Sequence, residues 1–365
     1  MKAFIKDNTI YFYIFLFLII SYLSIYHASI YLDNNSFNLY YKQIIWYTIG
    51  LVLIYIIKKI KIDFIFKISI YLYILNIILL SGLFFFGTVV NNSKAWYTFF
   101  GLSIQPSEFM KISIILLDSY VINYFYRKKE VIEKKKEIQL LLILLLIFLI
   151  PSILTFLEPD TGAVIGYFII TLAIIYYSNI NKRWLKYIIF LCITSLFIFL
   201  FIYFNYKDLF IDLFGSSFFY RIDRLINWHS KSGIQLNNSL IAIGSSGLLG
   251  NSMVPLYYPE LETDFIFTSF SSTYGFLGGI ILIILVFSFD LYLLRLIKIV
   301  PKKKNRIVIF SIVCLLIYQQ IQNIGMTMGI LPISGITLPL ISYGGSSIIT
   351  FLILIGIIIN IKEKV

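Results

Sequence analysis

Four short clusters in this chain carry residue types that can do chemistry. The first is Gln105-Pro106-Ser107-Glu108-Phe109-Met110-Lys111. Glu108 and Lys111 are three apart, so on a helix they share a face and pair, and Pro106 suits a first helical turn. The pair reads either as a structural ion pair at a helix start or as the polar floor of an internal cavity. The second is Glu158-Pro159-Asp160-Thr161-Gly162. It is either a tight turn in which Asp160 caps the next helix or an acidic pair facing a substrate or cation. The third is Pro259-Glu260-Leu261-Glu262-Thr263-Asp264-Phe265-Ile266-Phe267. A carboxylate desolvated between Phe265 and Phe267 has a raised pKa, which a general base needs; the plainer reading of Asp264 is a helix cap. Glu262 shares a face with Asp264 on a strand but not on a helix. The fourth runs from Gly335 to Ser347, where Pro339 and the Gly344–Gly345 pair interrupt an apolar stretch around Ser342. Broken segments of this kind form binding sites in membrane proteins, and small residues also serve close helix packing.

The elements that must position these groups lie in a bilayer. Of 365 residues, 59% are hydrophobic and 13% charged, against about 45–50% and about 25% for a soluble domain. Mean hydropathy is +0.90. This excludes a secreted disulfide scaffold, a disordered regulator and a soluble nucleotide-binding enzyme. Cys192 and Cys314 lie far apart in apolar runs and form no disulfide pattern. Two histidines, His27 and His229, make no His-rich metal site. The fold class is an all-α polytopic membrane protein. Apolar runs fall at roughly 10–30, 41–57, 65–86, 104–125, 138–157, 162–178, 187–205, 266–294, 307–330 and 339–360. Ten crossings of about 20 residues each fit the length. The first run is too long for a signal-peptide core and is kept as a span.

Charge sets the direction. Of the 30 basic residues, 23 fall at one set of loops and ends, and Lys42, Lys94, Lys207, Arg221, Arg224 and Lys231 fall on the other side. Basic loops stay in the cytoplasm, so both termini are expected there. The formal net charge of +12 is thus a membrane signature and not a nucleic-acid one; the lysine runs attract anionic headgroups. One long external connection, about 206–265, separates the seventh and eighth runs. Its aromatic residues suit a segment on the membrane surface.

Taken in order, QPSE-x-x-K, EPD-x-G, TDFIF and GI-x-LP-x-ISYGGSS resemble the SEDS family (shape, elongation, division and sporulation), over essentially the whole chain as one domain. The resemblance implies a peptidoglycan glycosyltransferase of the bacterial cytoplasmic membrane. Such an enzyme polymerises lipid II at the outer face during elongation, division or sporulation and releases undecaprenyl pyrophosphate. It implies a class B penicillin-binding protein as partner. It carries the essential aspartate to Asp264, the tryptophan before QPSE to Trp96, the intramembrane pair to Glu108 and Lys111, and the paired arginines of the long loop to Arg221 and Arg224.

The chain departs from the pattern where an arginine often precedes the tryptophan: Ala95 stands there, with Lys94 one residue earlier. The stretch Ala242–Ser252 lacks a lysine, and Ser272 and Thr273 replace an acidic pair. Two alternatives to the enzyme are a non-catalytic scaffold and a lipid II flippase. In the enzyme reading Asp264 is the base. Arg221, Arg224 or Lys231 meets the pyrophosphate, or a divalent cation such as Mg or Mn does so. The remaining candidate substrate contacts are Trp96, Glu262, Ser342, Gly344 and Gly345, with Glu108, Lys111, Glu158 and Asp160 shaping the cavity.

Overall fold

The structure, a computed structural model, describes residues 8–30, 38–90, 93–99, 102–127, 133–226, 233–250 and 260–364. Long helices follow the apolar runs: α1 (Thr9–Ile30), α2 (Leu39–Lys59), α3 (Ile62–Phe86), α4 (Pro106–Phe125), α5 (Lys134–Leu157), α6 (Thr161–Tyr177) and α7 (Lys182–Asn205). The connection after α7 contains α8 (Lys207–Phe214), α9 (Ser216–Ile226) and α10 (Ile234–Ser245). Then come α11 (Ile266–Ile299), α12 (Lys303–Thr327) and α13 (Gly345–Glu363). Eight of these are long and apolar enough to cross a membrane. The two other runs differ for physical reasons: α4 carries Glu108, Lys111 and Asp118, and α6 has only 17 residues.

The bundle has a clear centre and edge. Most of α13 is buried, packed against α2 and α4, whereas α7 is almost wholly exposed at the periphery. Backbone hydrogen bonds satisfied within each helix allow this apolar exposure in lipid. Helix ends alternate, so the lysine-rich termini collect at one end of the bundle and all four polar clusters at the other.

Two features depart from the sequence reading. Before α4 stands a three-stranded antiparallel sheet, β1 (Thr88–Val90), β2 (Ser93–Phe99) and β3 (Leu102–Ile104), with Thr88 opposite Trp96 and Tyr97 opposite Ile104. A short sheet at the bundle end thus accompanies the helices. The last helix begins at Gly345 and not near 339, because Pro339 and the left-handed Leu340 (φ 64°) keep the preceding residues out of a helix. The long connection also crosses α11 backbone to backbone. Phe276 N donates to Gly247 O at 2.9 Å, and a Cβ on Gly275 would sit 2.2 Å from Gly250 N. Only glycine tolerates that approach and the positive φ found at both positions.

Aromatic residues of the connection and of the end of α7 build a small separate core. Tyr203, Phe210 and Phe219 are buried together, with Phe199, Phe218 and Ile222 around them, and Tyr203 donates to Asp223 at 3.0 Å.

Candidate active site

The four clusters converge on one cavity of about 330 Å³, within the usual range for small-molecule pockets of about 300–1,000 Å³. Its wall includes Trp96, Glu108, Lys111, Asp160, Asp264 and Gly344.

The floor is the start of α4. Lys111 Nζ and Glu108 Oε1 are 2.5 Å apart, and both side chains are buried. Pro106 occupies the first helical turn as its missing N–H allows. Glu108 Oε2 has no hydrogen-bond partner, although its residue lines the cavity. The pair is therefore both structural and cavity-forming.

Asp160 caps α6, its Oδ1 accepting from Ala163 N at 3.0 Å. Its Oδ2 accepts from Gln105 Nε2 and Ser107 Oγ, each at 2.9 Å. One carboxylate thus ties the starts of α4 and α6 together while lining the cavity. Its neighbour Glu158 is different. It is 2% exposed, does not line the cavity, and neither carboxylate oxygen has a hydrogen-bond partner. Burial, then Asp160, pushes its carboxyl up to about 8.

Asp264 sits in the turn just before α11, half-buried in the cavity wall. Burial is the main cause that pushes its carboxyl up to about 7, with Glu260, Glu262 and Asp160 adding negative charge nearby. It does not cap α11: Phe265 holds the cap position and no side chain bonds there. Its backbone is held from α12, where the fully buried Asn323 donates to Asp264 O and to Ile336 O, each at 2.8 Å. Gly335, left-handed at φ 67°, lets the loop pass Asp264 Oδ2; a Cβ there would lie 3.5 Å from that oxygen.

The fourth cluster is bonded to the third. Tyr343 N donates to Glu262 O at 2.9 Å, Ser342 Oγ to Thr263 O at 2.6 Å, and Leu338 N to Ser342 Oγ at 2.8 Å. Ser342, Gly345 and Glu262, read from the sequence as substrate contacts, do not line the cavity. Ser342 is spent on these backbone bonds. A Cβ on Gly345 would meet the Trp46 ring at 2.5 Å, so that glycine serves packing. Glu262 is turned inward with Oε2 unpartnered; burial is the main cause that raises its carboxyl, and Glu260 adds to it. Arg221 and Arg224 lie on α9, with side chains outside the description, and Lys231 lies outside the described residues.

The cavity also contains Gln105, Glu260, Thr337 and Ser346, which belong to the four clusters but carry no assigned role in the sequence reading, and Gln319, which lies outside them. Gln319 and Asn323 had a signal: two amides four residues apart share one face of an otherwise apolar run. Ala95 is buried in the cavity wall where the related pattern has an arginine. Lys94 does not replace it, because its Nζ turns away to donate to Phe84 O at 2.6 Å. Among the described residues no three acidic, histidine or cysteine side chains gather as a ligand set for a metal ion.

Fold and site define a polytopic helical membrane protein with an acidic cavity at the end of the bundle opposite the lysines. Comparison with known proteins names the family. Residues 7–365 match the FtsW/RodA/SpoVE model of cell cycle proteins, and the chain belongs to that family. It is 32% identical to the probable peptidoglycan glycosyltransferase FtsW of Wigglesworthia glossinidia brevipalpis, over 99% of this chain and 94% of the relative. In fold it matches a chain of a peptidoglycan synthase complex that coordinates polymerization and crosslinking, with TM-score 0.80, 22% identity and 98% of each chain covered. It also matches the rod shape determining protein RodA of Thermus thermophilus, with TM-score 0.70, 21% identity, and 98% and 97% covered.

Proposed function

We propose that this chain is a peptidoglycan glycosyltransferase that polymerises lipid II at the outer face of the bacterial cytoplasmic membrane. The observation that carries the reading is the meeting of Asp264 with Trp96, Asp160 and the Glu108–Lys111 pair in one cavity, in a chain of this family. The lysine-rich end of the bundle faces the cytoplasm, which puts the cavity outside, and ten helices cross.

Asp264 takes the proton from the 4-hydroxyl of the acceptor sugar. That oxygen bonds to the anomeric carbon of the donor as the bond from carbon to pyrophosphate breaks. The leaving group departs as undecaprenyl pyrophosphate. A carboxyl near 7 is matched to this task, since general bases work best with a pKa close to the operating pH. One displacement inverts the anomeric centre. The polyprenyl tail lies between helices in lipid. Arg221, Arg224 or Lys231 of the long connection meets the pyrophosphate, arginine by paired donors. A divalent cation such as Mg or Mn would neutralise the same charge; one or two cavity carboxylates among Asp160, Glu260 and Asp264 would hold it together with the pyrophosphate oxygens and water. A class B penicillin-binding protein is the partner that crosslinks the product.

The proposed base has a signature. Polymerisation at subsaturating lipid II is expected to rise with pH and level off above about 7, following ionisation of Asp264. A rate independent of pH between 5 and 8 would remove Asp264 from that role.

A further inference from the structure

At the opposite end of the bundle lies a second cleft, of about 190 Å³, lined by Lys61, Asp63, Lys302, Asn305 and Lys364 among others. Its walls come from the α2–α3 connection, the α11–α12 connection and the end of α13. The lining carboxylate is already matched: Lys304 Nζ lies 2.5 Å from Asp63 and over the Phe66 ring. Three further lysines, Lys61, Lys302 and Lys364, therefore line one small space. Lys364 is anchored by donation to Ile60 O at 2.6 Å and Asn360 Oδ1 at 2.8 Å.

The backbone adds positive charge. Both α3 and α12 begin at this cleft, with Lys61 and Lys302 in their cap positions and no side-chain cap at either. The lysine side chain has no acceptor to offer the first-turn amides, so two helix amino ends contribute their positive dipole ends to the same space. An independent observation comes from Asn305. It is 6% exposed, lines the cleft, and its Oδ1 has no hydrogen-bond partner. A buried acceptor without a donor is costly and points to a ligand that carries one.

We propose that this cleft binds a phosphate-bearing anion with a hydroxylated head, supplied by an anionic phospholipid of the phosphatidylglycerol type. The phosphate oxygens accept from the lysines and helix amino ends, and a glycerol hydroxyl donates to Asn305 Oδ1. The lipid is favoured over a free phosphate because α3 runs from the cleft with Phe64, Ile70 and Tyr71 exposed along it, apolar surface on which acyl chains lie. Placing the lipid in the cytoplasmic leaflet rests on the orientation proposed above; the binding site itself does not depend on transferase activity.

The test is thermal unfolding of the full chain in detergent, titrated with dioleoylphosphatidylglycerol, dioleoylphosphatidylcholine or inorganic phosphate. The wild type is compared with Lys61→Gln/Lys302→Gln and with a control double, Lys134→Gln/Lys135→Gln, on the same face. Phosphatidylglycerol is expected to stabilise the wild type where phosphatidylcholine does not. The concentration for half-maximal effect should rise about tenfold or more in the cleft double and stay within about twofold in the control. Dioleoylphosphatidylmethanol, a phosphodiester of the same charge without the glycerol hydroxyls, should bind the wild type more weakly, and Asn305→Ala should erase that difference. Equal weakening in both doubles, or equal stabilisation by phosphatidylcholine, overturns the site. Full stabilisation by inorganic phosphate, with nothing added by the lipid, keeps the anion site and overturns the lipid as its source. The readout is binding, so it fails or holds separately from any glycan assay.

Discussion

Asp264→Asn is expected to make the protein more stable at alkaline pH. The Asp264 carboxyl rises from 3.8 to about 7, chiefly because it is buried. Between those values the folded chain keeps a proton that the unfolded chain has lost. The group therefore costs stability as pH climbs past 3.8, and the cost levels off above 7. At about 1.36 kcal/mol per tenfold change in ionisation, the full rise corresponds to about 4 kcal/mol. The side chain is only half-buried, so solvent screening leaves roughly half of that, about 2 kcal/mol, at pH 8. Asparagine keeps the shape and removes the charge. Thermal unfolding of detergent-purified protein from pH 4 to 8.5 measures the effect. The variant should melt several degrees above the wild type at pH 8, with the gap closing as pH falls to 4. A gap that is absent, or constant with pH, refutes the argument that Asp264 is held in a desolvating, acid-crowded wall.

Other outcomes follow from the same geometry. Lys111→Met leaves Glu108 buried without its cation and should destabilise the fold by about 3–5 kcal/mol, with Glu108→Gln restoring much of the loss in the double variant. Equal melting of single and double variants would contradict a coupled pair. Asn323→Leu leaves the carbonyls of Asp264 and Ile336 without their donor, at about 1–3 kcal/mol each. It should slow polymerisation with Asp264 intact; an unchanged rate would show that this tie does not position the base.

The apolar runs reveal the long helices because lipid demands about 20 apolar residues per crossing and charges collect at the ends. The ion pair at Glu108 and Lys111 is legible from spacing alone, since three residues apart means one helical face. What the sequence hides is non-local. Asn323 reaches residues 264 and 336, a contact set by how α12 packs. Ser342 and Gly345 look like ligand contacts by type, yet one is used by backbone amides and the other by Trp46. The short sheet before α4 escapes a reading by apolar period because its strands have three to seven residues. Even so it places Trp96 and Ala95 in the cavity.

Formation of glycosidic bonds in this cavity can be observed directly. The most direct measurement is lipid II polymerisation by the purified chain with its cognate penicillin-binding protein, beside Asp264→Asn. Glycan ladders are expected from the wild type and none from a folded Asp264→Asn, the loss of a general base alone being worth about 10²–10⁴-fold. Ladders of equal intensity from both would contradict Asp264 as the base, and translocation of lipid II by both without any ladder would make the chain a flippase.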